Sequence, residues 1–262
     1  MRDPADAHAA SQFYTGLVAD LYEPLLSEPP RAGDYTAFLD RAGAPALELA
    51  CGSGLPLVEL VERGYDVDGL DSSQDMLGRC HARAADRGVK VTVYRAEMQS
   101  FALPRRYRAI FLAGASFTLL TSDEDAARAL ACMHAHLEPG GSVLIPLESH
   151  DLEASRKLIG VTKEVATPEG DRLRITIDGI DPSADGRTVR RHLRYERLRS
   201  TGEHEVVKRT WERRSWPQEQ FREMLVAAGF DKVSFVAPNG GRAAPDRPVF
   251  VALARREQSH KP

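Results

Sequence analysis

Leu47-Glu48-Leu49-Ala50-Cys51-Gly52-Ser53-Gly54, followed by Val67-Asp68-Gly69-Leu70-Asp71, decides how this chain is read. The first stretch is a short apolar strand running into a glycine turn. The second is another strand that ends in a carboxylate, and a helix lies between the two. Glycines at 52 and 54 let the backbone turn tightly and approach a ligand closely, because no Cβ stands in the way. A carboxylate placed as Asp71 is, at the carboxyl end of the second strand, can accept hydrogen bonds from both hydroxyls of a ribose. The pattern is half of a nucleoside site. Its glycine spacing argues against a dinucleotide, whose pyrophosphate fingerprint is G-x-G-x-x-G. The third position is Leu57, preceded by Pro56, and a bulky residue there suits a ligand with no pyrophosphate to seat.

Outward from this unit, helices and strands alternate: helix 54–63, strand 66–70, helix 73–86, strand 90–94, strand 108–113, helix 122–136 and strand 142–147. Such alternation predicts parallel strands joined by right-handed crossovers, a doubly wound sheet. Ligands of these sheets sit beyond the carboxyl ends of the strands. Gly52, Asp71, Glu97 and Ser116 all fall just past predicted strand ends. Before the first strand, Phe13, Leu17, Val18, Leu21, Tyr22, Leu25 and Leu26 recur at helical spacing and predict a helix over 9–27; a shorter one covers 35–41.

After residue 150 the pattern changes. Thr167-Pro168-Glu169-Gly170, the run from Asp181 to Gly186, and Ser200-Thr201-Gly202 are three turn signals. Between them, Leu173, Ile175 and Ile177 alternate with Arg174, Thr176 and Asp178. Residues 160–215 are therefore expected to form three or four antiparallel strands. A helix follows, opening at Pro217 and closing at Gly229, and strands near 231–237 and 247–254 complete the main sheet. The expected organisation is an N-terminal helical cap (1–45), a Rossmann-like core (46–159), an antiparallel β insertion (160–215), and a C-terminal helix with closing strands (216–262). The fold class is α/β: a Rossmann-like doubly wound, mostly parallel seven-stranded sheet.

The 262 residues hold 35 Lys and Arg against 38 Asp and Glu, a net charge of −3. No global field draws such a chain to nucleic acid or to a membrane. Three cysteines without C-x-x-C spacing fit neither a disulfide framework nor a zinc site. With no hydrophobic leader and no apolar run long enough to span a bilayer, the expected location is cytoplasmic.

Glu48-x-x-x-Gly52-x-Gly54 with an acid after the next strand resembles the first motif of class I S-adenosylmethionine-dependent methyltransferases and its partner. The resemblance covers residues 9–255. Ala96-Glu97-Met98-Gln99-Ser100-Phe101 is similar to the family's adenine-contacting segment, with Glu97 where relatives commonly carry Asp. Leu112 and Ala113, opening the run to Leu120, resemble the segment that lines the cofactor's methionine part, and Leu137-Glu138-Pro139-Gly140-Gly141 matches the lead-in to the fifth strand. An antiparallel insert after that strand resembles the small-molecule branch, which includes glycine and amino-sugar N-methyltransferases and natural-product enzymes. The resemblance implies S-adenosyl-L-methionine as cofactor, with Glu48, Ala50, Gly52, Gly54, Asp71, Ser72, Met76, Glu97, Met98, Leu112 and Ala113 around it. It also implies an N-terminal helix whose aromatics shield the sulfonium; Phe13, Tyr14 and Tyr22 are the candidates.

Several residues carry two readings. Asp71 can bind ribose or cap the helix that starts near Ser73. Glu97 can meet adenine or be a solvated loop acid, and Met98 can lie over adenine or fill the core. Tyr14 and Tyr22, eight residues apart, can share one helix face at the active site or form its packed rim. His150, after the fifth strand, can accept a proton from the acceptor, as can Tyr14; these are the two catalytic candidates. His134 and His136 lie at a helix end, where a histidine suits the dipole. The cations of the insert, Arg187, Arg190, Arg191, Arg194, Arg197, Arg199, Lys208, Arg209, Arg213 and Arg214, read either as a solvated face paired with Glu196, Glu203, Glu205 and Glu212 or as holders of an anionic acceptor.

The expected reaction is methyl transfer to an N, O or C nucleophile of a small molecule in bacterial specialised metabolism. No metal is required, because the leaving thioether is neutral. The insert can serve as a lid, a dimer surface or both. Nucleic acid is disfavoured by scarce aromatics, Tyr195 and Trp211 being the main ones in the insert. An NAD-dependent oxidoreductase, and a non-methylating cyclase or sensor with the same pocket, are the alternatives.

Overall fold

The computed structural model describes residues 12–149, 151–237, 241–244 and 248–257. The chain divides into two compact units, one made of the segment up to Pro29 with His150–Arg214, the other of Pro30–Ser149 with Ser215–Pro262. Residues 30–45 thus belong with the core and 151–159 with the insert.

The larger unit opens with α1 (Gly33–Ala42), β1 (Ala46–Leu49), α2 (Leu57–Glu62), β2 (Val67–Asp71), α3 (Gln74–Asp86), β3 (Val93–Arg95) and β4 (Tyr107–Leu112). A 3-10 turn (Ser116–Leu119), α4 (Asp123–His136) and β5 (Leu137–Glu148) follow. After the insert come α5 (Gln218–Ala227), β6 (Phe230–Val236) and β7 (Val249–Arg256). The seven strands lie in the order β6-β7-β5-β4-β1-β2-β3. Only β7 runs against the rest, antiparallel to both β5 and β6. This is the expected mostly parallel, doubly wound sheet.

Both faces of the sheet are covered, which is why its strands read as nearly continuous apolar runs. Successive residues of β1 serve opposite faces. Leu47 and Leu49 join Ile110, Leu112, Met133 and Phe221 on one side; Ala46 joins Phe38, Leu57, Leu60 and Phe111 on the other. Each fully buried Leu, Ile, Met or Phe among them contributes about 1.5–3 kcal/mol. Helix α3 starts where the Ser73 hydroxyl accepts the Met76 N–H (3.2 Å), and α4 where Ser122 accepts the Asp125 N–H (3.0 Å), with three acids in the α4 first turn. Gly229, at φ +94°, follows the end of α5.

Details depart from the sequence expectations. Strand β5 begins at Leu137, directly after α4, because Leu137 pairs with Tyr107 before the register shifts to Ala109 and Ser142. The Glu138-Pro139-Gly140-Gly141 lead-in is thus an irregularity within the strand. Pro56 and Pro217 precede their helices instead of opening them. Burial and then Arg256 hold the His134 imidazole below its usual range, and its ring stands edge-on to Phe230. His136 accepts the Leu103 N–H at Nε2 (2.9 Å), so its Nδ1 donates to the Cys132 carbonyl (2.8 Å).

The smaller unit holds α6 (Leu17–Tyr22), α7 (Leu152–Arg156) and four antiparallel strands in sequence order: β8 (Thr162–Ala166), β9 (Arg172–Pro182), β10 (Thr188–Leu198) and β11 (His204–Arg214). The predicted helix over 9–27 is interrupted. Gly16 takes φ +52° and ψ −130°, so a short helix begins only at Leu17. The apolar spacing is nevertheless real, because Phe13, Leu17, Val18 and Leu21 pack with Leu173, Leu193 and Tyr195 on one face of this sheet. Arg197 reaches Asp20 (2.8 Å) and ties α6 to β10. No helix among the described residues is long and apolar enough to cross a membrane.

Candidate functional site

The turn after β1 is built from positive φ angles at Ala50 (+54°), Gly52 (+54°) and Gly54 (+84°). For Ala50 this is a strained conformation, and such strain persists only where surrounding structure enforces it. Here the Cys51 N–H is held by the Leu70 carbonyl (3.0 Å), and the Ser53 carbonyl accepts from Arg83 Nε (3.0 Å). Gly54 is required by packing: a Cβ there would lie 2.8 Å from both Cys80 Sγ and Val58 Cγ2. A Cβ on Gly52 would meet only the Met76 methyl, at 3.3 Å. The Leu57 that breaks the dinucleotide fingerprint packs onto Gly69 of β2, where a Cβ would stand 2.6 Å from a Leu57 methyl. Close helix–sheet approach is thus obtained from a glycine on the strand rather than one on the helix.

Asp71 clamps this turn. Its carboxylate accepts the Gly52 N–H and the Ser73 N–H, each at 2.8 Å. Burial raises its pKa, while the backbone N–H groups of Ser73, Gly52 and Ser72 pull it down. The alternative of Asp71 as helix cap is overturned, since the Ser73 side chain fills that role.

Glu48, in the middle of β1, is fully buried, and neither of its carboxylate oxygens has a hydrogen-bond partner among the described residues. Burial first, then the nearby Cys80 and Asp71, push its pKa well above the usual carboxylate range. Tyr35, which the sequence marks only as the start of a helix, donates its hydroxyl to the Ala113 carbonyl (2.5 Å) and stacks near Phe111. Buried Ser53 Oγ also lacks a partner among the described residues. Neither Tyr35 nor Ser53 carries a sequence signal beyond its place beside a motif.

Past β3, the Ala96 N–H bonds the Asp71 carbonyl (3.1 Å), which brings this segment beside the glycine turn. Glu97 accepts from the Gln99 amide (2.8 Å), and Met98 packs against the core cluster. Leu112 is buried at the end of β4, and Met76 is buried in the first turn of α3. The larger unit therefore gathers Glu48, Ala50, Gly52, Gly54, Asp71, Ser72 and Met76 with the starts of the segments after β3 and β4.

Tyr14 and Tyr22 belong to the smaller unit. The break at Gly16 denies them a shared continuous helix, yet their rings meet edge to face at 5.4 Å. Phe13 adjoins Tyr14 (4.8 Å) and Trp211 (6.4 Å). Register puts Arg191 beside Trp211 and Val189 beside Arg213. The guanidinium groups of Arg191 (5.8 Å) and Arg213 (4.7 Å) thus both lie over the Trp211 ring, on the face that carries Leu193 and Tyr195. The opposite face is ion-paired: Arg194 with Asp178 and Glu196, and His192 with Asp181. His150 lies outside the described residues.

Residues 46–141 match the family model described as a methyltransferase domain. Residues 46–141 thus form a methyltransferase domain of the S-adenosylmethionine-dependent kind. The chain shares 33% identity over 132 residues with the dTDP-3-amino-3,4,6-trideoxy-alpha-D-glucopyranose N,N-dimethyltransferase of Streptomyces venezuelae, covering 50% of this chain and 49% of that protein. It shares 28% over 151 residues with the glycine/sarcosine N-methyltransferase of Halorhodospira halochloris, 55% of this chain and 56% of that protein. The chain thus aligns with about half the length of these curated relatives. The crystal structure of an S-adenosylmethionine-dependent methyltransferase from Clostridium acetobutylicum superposes with a TM-score of 0.71 at 16% identity, covering 91% of this chain and 97% of that one. The methyltransferase fold therefore extends well beyond the matched domain. The match also disfavours the oxidoreductase alternative.

The residues fit the cofactor. A buried carboxyl with no partner is what a cationic amino-acid ammonium would satisfy, and Asp71 stands at the strand end where a ribose is held.

Proposed function

We propose that this chain transfers a methyl group from S-adenosylmethionine to the amine nitrogen of a small molecule that also carries an anionic group. One observation carries the cofactor half: beside the glycine turn the buried Glu48 carboxyl has no hydrogen-bond partner among the described residues, a place that a ligand's ammonium would fill. Bound there, S-adenosylmethionine supplies a methyl group on a sulfonium, with a neutral thioether as leaving group. In this proposal Glu48 answers the ammonium and Asp71 the ribose hydroxyls. Glu97 and Met98 flank the adenine, while Leu112 and Ala113 line the methionine chain. Ala50, Gly52 and Gly54 shape the turn beside Ser72 and Met76. Holding both reactants ready to react is worth about 7–11 kcal/mol.

An amine is supported by the relatives, whose names specify glycine or sarcosine in one case and a 3-amino sugar in the other. An anionic group is supported by the arginines around Trp211, because Arg213 is 7% exposed and stacked on the indole. An amine with a free lone pair needs no base; one arriving as an ammonium gives its proton to His150 or Tyr14. Bacterial specialised metabolism is the proposed setting, supported by the Streptomyces relative.

The test is methyl transfer from labelled S-adenosylmethionine to a panel of amino acids, nucleotide-linked amino sugars, and their alcohol counterparts. N-methylation with a KM that rises with salt, and that rises at least tenfold in Arg213→Ala but not in Arg194→Ala, supports the reading. Methylation of alcohols alone, or a salt-independent KM, overturns it. Tight cofactor binding with no acceptor methylated would identify a cyclase or sensor.

A further inference from the structure

Glu48 interrupts an apolar layer. Its neighbours in the sheet are Gly69 of β2 and Phe111 of β4. That face of the sheet is covered by the cluster of Phe38, Leu39, Leu57, Val58 and Leu77. The titratable groups that face it are Tyr35 from α1, Cys51 in the turn, Asp71 at the end of β2 and Cys80 from α3. All four are acids. Cys51 and Cys80 are hydrogen-bonded to each other, and Asp71 has the backbone N–H donors. Glu48 has neither, so of the two carboxyls Asp71 keeps the charge and Glu48 the proton. A lone ionised carboxylate in such surroundings takes up a proton rather than stay charged.

Given the cofactor reading, we propose that Glu48 is a proton-linked counter-ion: the ligand-free protein holds it as the neutral acid, and the cofactor's ammonium replaces that proton. The balance is simple. A neutral carboxyl and a free ammonium become a carboxylate–ammonium pair, and one proton leaves to solvent. No covalent bond is made or broken beyond that O–H. Affinity for any ligand bearing the ammonium then rises with pH until Glu48 is ionised in the free protein.

The test is calorimetric titration with S-adenosylhomocysteine between pH 6 and 8, in buffers of contrasting ionisation enthalpy. 5′-Methylthioadenosine, which keeps the nucleoside and lacks the ammonium, is titrated in parallel. The expected result for the wild type is release of close to one proton at the acid end of the range. Its affinity tightens about tenfold per pH unit while Glu48 is neutral. The methylthio compound and Glu48→Gln should both show no release and a flat pH profile. Wild-type binding of S-adenosylhomocysteine without proton release would overturn the counter-ion and leave the cofactor reading intact. Equal release with both ligands would also overturn it, by assigning the proton elsewhere. No binding at any pH would remove the cofactor reading itself. Should Glu48→Gln fail to fold, the two-ligand comparison on the wild type still decides.

Discussion

Replacing Asp71 by Asn changes one atom and tests the centre of the site. The two carboxylate oxygens each accept one backbone N–H at 2.8 Å, from Gly52 and from Ser73. An amide keeps one acceptor and turns the other into a donor, so one of those two N–H groups must face another donor. A donor left unsatisfied in a buried setting costs about 1–3 kcal/mol. For a chain of this size each kcal/mol lowers the melting temperature by about 2–4 °C. The expected loss is therefore about 2–12 °C in the ligand-free protein, read by scanning calorimetry. Cofactor affinity should fall further. A charge-assisted bond to ribose is worth about 1.5–3 kcal/mol, which is ten- to more than a hundredfold in the dissociation constant of S-adenosylhomocysteine. A lower melting temperature with unchanged affinity would make Asp71 a clamp for the turn and nothing more. Wild-type values for both would refute the reasoning outright.

The other glycine-turn variants should separate fold from binding. Gly54→Ala, with its Cβ driven against Cys80 and Val58 at φ +84°, should lose about 2–5 kcal/mol in urea unfolding. Gly52→Ala meets only a flexible methionine tip and should lose less stability while binding cofactor more weakly; the reverse order would be inconsistent with the packing described. Glu48 makes its own prediction for the ligand-free protein. Its folded pKa lies above that of the unfolded chain, so between the two values the folded state holds the extra proton and stability falls as pH rises. The slope approaches 1.4 kcal/mol per pH unit and should be absent in Glu48→Gln when urea midpoints are compared from pH 5 to 8. His150→Ala should retain cofactor binding and lose turnover; an active variant removes His150 as the proton acceptor.

Much of the cofactor-binding unit was legible because its signals are local and categorical. A strand buried on both faces reads as an apolar run, and a turn at positive φ reads as glycine. The spacing of both survives any detail of packing. The helix expected over 9–27 shows where such reading stops. Its apolar period reports the face that packs on the β9–β10 strands, and that face persists although Gly16 breaks the backbone between Tyr14 and Leu17. The start of β5 was missed for the opposite reason: a Pro-Gly-Gly turn signature lies within an irregular stretch of strand. In the insert, the ten cations from Arg187 to Arg214 can be counted from sequence but not sorted. Only the register shows that Arg194 faces Asp178 and Glu196 while Arg191 and Arg213 share a face with Trp211.

The proposed location of the cofactor site also has support in geometry, apart from the resemblance. Along β1 and its turn, three local rules are broken within seven residues. Glu48 is a buried acid with no partner, Ala50 has a positive φ, and Gly54 sits where a Cβ cannot fit. Each alone has an ordinary explanation in packing or chance. Together they fall on one central strand and its turn, whereas in β2 the tight Gly69 and the buried Asp68 are each accounted for, by the Leu57 side chain packed on the one and the Tyr107 hydroxyl donated to the other. Strain of this kind gathers where a ligand is to be met, and stability is supplied elsewhere. Glu48 is the sharpest case. An apolar residue of its size would complete the cluster around Phe111 and Leu57 and would stabilise the ligand-free fold. In the proposed reading a cationic ligand makes the carboxyl favourable at that position, so Glu48 links a cost in folding to a gain in binding.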